Sequence, residues 1–147
     1  MVNKGKVSSI RISAGKGVKQ DSDKGYLREN HGLEEDIHSG PGERQVSLFA
    51  RESMEELKRN GVKMDCAGFG ENITVSDIMV ADLTPGTKLA AGNSVLKITQ
   101  IGKTCGKPCK FYADGKRCAL STLGVFAAVI KSGEIKTGDE IEVMDGV

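Results

Sequence analysis

Three of the four cysteines fall close together, Cys105, Cys109 and Cys118, in the tract GKTCGKPCKFYADGKRC that runs from Gly102 to Cys118. The tract also holds five basic residues, Lys103, Lys107, Lys110, Lys116 and Arg117, against the single acid Asp114. Neighbouring cations stabilise a thiolate relative to a thiol, and the thiolate is the form that attacks, carries sulfur or ligates a soft metal. The same cations suit a phosphate on a ligand. Gly106 and Pro108 put Cys105 and Cys109 on a turn, where side chains can face a cleft. Two plainer readings fit these residues as well. A free cysteine often only fills buried space. Cys105 and Cys109 also have a spacing within the zinc range, but a second matching pair is missing, since Cys118 stands alone and Cys66 is distant.

The two histidines, His31 and His38, bracket Glu35 and Asp36. A spacing of seven would share one helix face, yet the Gly and Pro residues around them predict a loop. Such a loop offers general acid–base groups or ligand hydrogen bonds, or it is an ordinary surface turn. A third tract, Gly68 to Val75, gives a tight backbone entry at Gly70 followed by an acceptor and an amide, Glu71 and Asn72. No Walker loop, dinucleotide fingerprint, nucleophile elbow or HExxH appears.

Short strands are predicted to position these groups. Lys6–Ser13 alternates and is β-branched, and Gln45–Phe49 reads as a second strand. Ala14–Asn30, polar and glycine-bearing, reads as an exposed loop or lid, and His31–Arg44 as turn-rich. Glu52–Asn60 is predicted as an amphipathic helix stopped by Gly61, with Met54 and Leu57 on one face and an i,i+4 pair between Glu55 and Arg59. Glu71–Val75, Thr87–Ala90, Ser94–Ile101, a buried apolar run at Val125–Ile130 and Glu140–Met144 complete the strands. The turns Pro85-Gly86-Thr87 and Thr137-Gly138-Asp139 resemble each other, as a duplicated hairpin or as shared turn chemistry. Many short strands with one helix predict a mixed, mainly β fold, a barrel or folded sheet, in a single domain over residues 1–147.

Composition narrows the function. The chain has 147 residues, 38% apolar and 28% charged, which is enough to fold around a core and unlike a disordered chain. Its net charge of +1 gives no global field for a nucleic-acid backbone or a membrane surface. Aromatics are 4% with no Trp, which leaves little to stack on bases. No apolar leader or membrane-length run is visible, so the cysteines are read as thiols of a cytoplasmic protein.

Taken in order, several pieces of the chain resemble the MOSC domain, the C-terminal domain of molybdenum cofactor sulfurases, in its small stand-alone bacterial form. They are His31-Gly32-Leu33 through His38, Arg44-Gln45-Val46-Ser47-Leu48, Gly70-Glu71-Asn72-Ile73-Thr74-Val75, Leu83 through Leu89, Leu96 through Gln100 leading to Cys105, Gly124-Val125-Phe126-Ala127, Gly133 and Gly138-Asp139. The resemblance implies a MOSC-like β-barrel with one or a few short helices. It implies binding of the molybdenum cofactor, molybdopterin, or a related pterin-bound metal. It also implies one cysteine as sulfur carrier or molybdenum ligand. Cys105 fits that position best because it follows the Ile-Thr-Gln strand end, and Cys109 is the rival because Pro108 precedes it. On this reading Lys103, Lys107, Lys110 and Arg117 bias the thiolate and meet the cofactor phosphate. His31 and His38, with Asp36, orient ligand or shuttle protons, and Glu71 and Asn72 shape the pocket floor.

Two departures matter. Many small relatives carry Pro-Arg-Glu-Gly where this chain has Ser121-Thr122-Leu123-Gly124, which removes a possible arginine and carboxylate there. Full-length sulfurases also have a pyridoxal-phosphate domain, for which 147 residues leave no room. The resemblance therefore implies a partner: a sulfur donor, an electron-transfer protein or the proteins of molybdenum cofactor biosynthesis. The residues do not choose among a sulfurase-related transferase, a molybdenum oxidoreductase component and a non-catalytic cofactor carrier. A zinc-stabilised structural domain is the remaining alternative.

Overall fold

The computed structural model describes residues 4–15, 18–36, 39–42, 45–59, 72–102 and 124–144. Eleven strands are present in them: β1 (Lys4–Gly15), β2 (Val18–Ser22), β3 (Lys24–Arg28), β4 (Gly32–Leu33), β5 (Val46–Ala50), β6 (Ile73–Ser76), β7 (Lys88–Ala91), β8 (Ser94–Ile101), β9 (Val125–Lys131), β10 (Gly133–Lys136) and β11 (Glu140–Val143). Helix α1 spans Arg51–Arg59, and a short 3₁₀ turn spans Val80–Asp82.

Seven strands close into a barrel in the order β11-β7-β8-β9-β5-β6-β1, with β11 returning to β1. Every ladder is antiparallel except β5–β6. That parallel pair needs a crossover, and α1 supplies it. β2 extends the sheet beyond β1, while β10, β3 and β4 form a separate small sheet.

Alternating side chains fill the barrel. Val46, Leu48 and Ala50 point inward from β5, Ile73 and Val75 from β6, Leu96 and Ile98 from β8, and Val125, Ala127 and Val129 from β9, all in one buried cluster. A barrel this narrow is packed solid by its own side chains. β1 breaks strict alternation yet keeps Val7 and Ile10 in the same cluster. Its register against β6 slips between Val7 and Ser9, so Val7, Ser8 and Ser9 on β1 oppose only Val75 and Thr74 on β6. That bulge bends the strand and turns Ile10 back inward. β5 is buried on both faces. Phe49, of outward parity and fully buried, lies outside the interior cluster on the side that α1 crosses.

The predicted loop at Ala14–Asn30 instead contains β2 and β3. The polar residues there misled, because β2 is an edge strand and β3 has only Leu27 buried. β10, also short, went unpredicted. The Val125–Ile130 run is a strand but is not uniformly buried: it alternates, and Ile130 is exposed. Glu55 pairs with Arg51 (Nε–Oε1 3.4 Å) where Arg59 was expected. The two similar turns open β7 and β11, which are antiparallel neighbours. Among the described residues no helix is long and apolar enough to cross a membrane.

Candidate functional site

Because the interior is full, chemistry is confined to the outer wall. A row of register partners runs across it: Gln100 on β8 opposite Phe126 on β9, Phe126 opposite Ser47 on β5, Ser47 bonded to Asn72, and Asn72 bonded to Arg11 on β1. Ser47 and Arg11 have outward parity, since Leu48 and Ile10 beside them face the core.

Asn72, one residue before β6, is the hub of this row. Its Oδ1 accepts the Ser47 backbone N–H (3.0 Å) and the Ser47 hydroxyl (3.2 Å). Its Nδ2 donates to the Arg11 carbonyl (3.3 Å) and to Asp36 Oδ2 (2.8 Å). The Asn72 backbone N–H donates to Ser47 as well, at the hydroxyl oxygen (2.9 Å) and the carbonyl (3.1 Å). An asparagine side chain has two donors and two acceptor positions, and all four are engaged here. A ligand hydrogen bond to this amide would have to displace one of them.

Asp36 Oδ2 also accepts the Ser13 backbone N–H (2.8 Å), so one carboxylate oxygen joins β1, the entry to β6 and the 33–36 turn. Asp36 and Asn72 are both buried. Buried polar groups are costly unless satisfied, and this network satisfies them.

His31 belongs to the same loop and shares Ser39 with Asp36. Its Nε2 is 2.9 Å from Ser39 Oγ, and that hydroxyl donates its one hydrogen to the Asp36 carbonyl (2.6 Å). Ser39 therefore accepts from His31, which places a proton on Nε2. Gly40 N–H closes the loop on the His31 carbonyl (2.7 Å). Gly32 has φ +115°, and a Cβ there would run into the Gln45 carbonyl oxygen, so the His31-Gly32-Leu33 tract admits glycine alone at its centre.

Of the residues selected from sequence, the structure thus brings Asp36 and Asn72 into contact and ties His31 to the same loop. His38, Glu71, Cys105, Cys109, Lys103, Lys107, Lys110 and Arg117 lie outside the described residues, as do Cys66 and Cys118. Their flanks are placed. Glu71 directly precedes Asn72, and His38 follows Asp36 by two. The segment 103–123 leaves β8 at Gly102 and re-enters at Gly124, and its neck is closed by the Gly102 N–H on the Gly124 carbonyl (2.6 Å). Gln100 Nε2 donates to the Gly102 carbonyl at that neck (2.9 Å). Gln100 and Phe126, at the neck, are two and one strands from Ser47, or about 5–10 Å at ordinary strand spacing.

Sequence reasoning missed Ser47 and Gln45 as site residues. A serine within a strand, or a glutamine just before one, carries no signal until its partner is known. An open cleft of about 320 Å³ lies beside the loop, lined by Glu34, Glu35, Glu134, Lys24 and Tyr26. Its acidic lining does not suit a phosphate-bearing ligand. The cations that suit a phosphate and the thiols that suit a soft metal are in 103–123. Among the described residues no group of three His, Cys, Asp or Glu side chains could hold a metal ion.

A family model for the MOSC domain matches residues 34–142. No curated protein matches the chain. Among solved structures, the YuaD protein from Bacillus subtilis superposes with a TM-score of 0.78 at 23% identity, covering 95% of each chain. YiiM from Geobacillus stearothermophilus gives 0.66 at 18% identity, over 96% of this chain and 75% of that one. YiiM from Escherichia coli gives 0.59 at 17% identity, over 97% and 71%. At these identities the likeness to the solved structures is one of fold. The match over residues 34–142 spans both the Asp36–Asn72 contact and the cysteine tract, and the chain belongs to the MOSC domain family, which is linked to the molybdenum cofactor.

Proposed function

We propose that this protein binds the molybdenum cofactor or a related pterin-bound metal and acts through a reactive cysteine, in sulfur transfer or molybdenum-dependent redox chemistry. The observation that carries the proposal is the placement of the neck of the cysteine tract, Gly102 to Gly124, on the same stretch of barrel wall as the Asp36–Asn72–Ser47 network. Cys105 is the first choice for the reactive thiol and Cys109 the second. Lys103, Lys107, Lys110 and Arg117 favour the thiolate and receive the cofactor phosphate. His31 contributes Nδ1 as a proton acceptor, with His38 as its companion. Asp36 and Asn72 form a rigid floor, to which Glu71 is directly attached. When bound, the group supplies a thiophilic metal centre.

In sulfur transfer, the Cys105 thiolate attacks the outer sulfur of a donor protein's persulfide. A new S–S bond forms on Cys105 as the donor's S–S bond breaks, and the donor's thiolate leaves. No net oxidation is required. The partner is then a persulfide-bearing sulfur donor, or an electron-transfer protein if the chain serves redox chemistry.

The test is titration of the reduced protein with molybdenum cofactor, wild type beside Cys105→Ser and Cys109→Ser. Binding lost in Cys105→Ser puts that thiolate on the metal. Loss in Cys109→Ser alone moves the role to Cys109. Equal binding in all three, with no sulfur added to any cysteine by intact mass, makes the protein a carrier. No binding by the wild type overturns the proposal.

A further inference from the structure

The loop that presents His31 is held at both ends by a single buried side chain. Gln45 is 3% exposed. Its Nε2 donates to Asn30 Oδ1 (3.2 Å) at the start of the loop and to the Gly42 carbonyl (2.9 Å) near its end. Its Oε1 accepts the backbone N–H of Val129 (2.9 Å). β5 begins at Val46, opposite Ala127, so Val129 lies beyond the end of that ladder. The Gln45 side chain takes the place of the missing strand partner, and the Val129 carbonyl is taken up by the Asn30 N–H (3.0 Å). The backbone of Gln45 meanwhile packs against Gly32, next to His31.

We infer that Gln45 is a positioning residue for the cofactor site: it fixes the 30–42 loop to β9 and so sets the place and tautomer of His31. This rests on the reading of the site proposed above. The amide's polarity is dictated by its partners, because Nε2 faces two oxygens and Oε1 faces an N–H. A carboxylate at this position keeps the shape and the Val129 bond but sets negative oxygen against the Gly42 carbonyl. Asn30 can turn its own amide to accommodate the change; the Gly42 backbone cannot. With the loop released, Ser39 no longer holds Nε2, and the ring is free to exchange tautomers.

The experiment compares wild type with Gln45→Glu and Gln45→Leu, in two readouts taken well below each variant's Tm. The first is the ring ¹⁵N spectrum of His31, assigned with His31→Gln and His38→Gln. The second is molybdenum cofactor affinity. A core variant remote from the loop, Ile141→Val, serves as the control for lost stability. The expected result is an Nε2-protonated His31 in wild type and Ile141→Val. Both Gln45 variants should show averaged tautomers and about tenfold weaker cofactor binding. Unchanged His31 signals in a folded Gln45 variant overturn the inference. So do shifted signals with unchanged binding. If the wild type binds no cofactor, the proposed function fails by itself, while the His31 spectra still decide whether Gln45 sets that ring. Gln45→Glu keeps the Val129 bond, the Asn30 contact with that amide turned, and the side chain's volume, so it covers the case in which Gln45→Leu does not fold.

Discussion

The Asn72 side-chain amide donates to a carboxylate oxygen of Asp36 at 2.8 Å, joining positions 36 residues apart. Through this bond the 33–36 turn meets the entry to β6 on the outer face of the barrel. The same amide holds Ser47 on β5, so the contact is braced by the wall itself.

Replacing Asn72 should therefore cost more than an average polar substitution. Asn72→Ala strips partners from Ser47 and Asp36 and is expected to lose about 2–4 kcal/mol by urea unfolding. Asn72→Asp should behave differently with pH. It places a second carboxylate against Asp36, and two adjacent carboxylates resist holding two negative charges. One of them titrates above its unfolded value of about 3.9. The variant's deficit should then be smallest below that pH and grow as pH rises through the elevated folded value. A deficit independent of pH would contradict the geometry.

Glycines separate two kinds of constraint. At Gly32, positive φ and the Gln45 carbonyl both forbid a side chain. At Gly86, φ is +96° but nothing lies within 4 Å of a Cβ. Gly86→Ala should cost about 1–2 kcal/mol from backbone strain, and Gly32→Ala clearly more. Thermal melts of the two variants side by side make the comparison.

The barrel seam is closed by β11, whose Ile141 is fully buried. Ile141→Ala is expected to cost about 2–5 kcal/mol. Met144, just beyond the strand, is 38% exposed. Met144→Ala should stay within about 0.5 kcal/mol of wild type. Equal losses at the two positions would mean the seam is not closed as described.

An ion pair decorates the same seam. Lys4 Nζ lies 3.1 Å from Glu140 and 3.9 Å from Glu142, with both partners solvent-exposed. The hydrogen bond to Glu140, then its charge, raise the Lys4 pKa above its ordinary value of 10.5. Any stabilisation is present in full below that value and is lost as pH rises through the elevated one. Lys4→Met should melt close to wild type at neutral pH, with the small difference vanishing in strong alkali or high salt.

Elements with alternating or helically spaced apolar residues were legible. Ser94–Ile101 was read to the residue, and β5, β6, β7, α1 and β11 to within one or two. These elements announce themselves because alternation or helical spacing is a local property. β2, β3 and β10 were not legible, since an edge or a two-sided polar strand leaves no such pattern. Their ladder partners are what make them strands. The bulge at Val7–Ser9 belongs with these, because it is defined by β6.

The candidate site divides in the same way. The sequence by itself determined the chemistry on offer: thiols among cations, two histidines, a carboxylate and an amide at characteristic positions, and a mainly β framework. Only the tertiary structure decided that the barrel interior is filled, that the polar network sits on the outer wall, and that Asp36 turns to Asn72 while His31 turns to Ser39. It also singled out Gln45, which in sequence is one more polar residue before a strand. Residue type and spacing fix what a group can do, whereas a hydrogen bond between distant positions exists only once the sheet has brought them within about 3 Å.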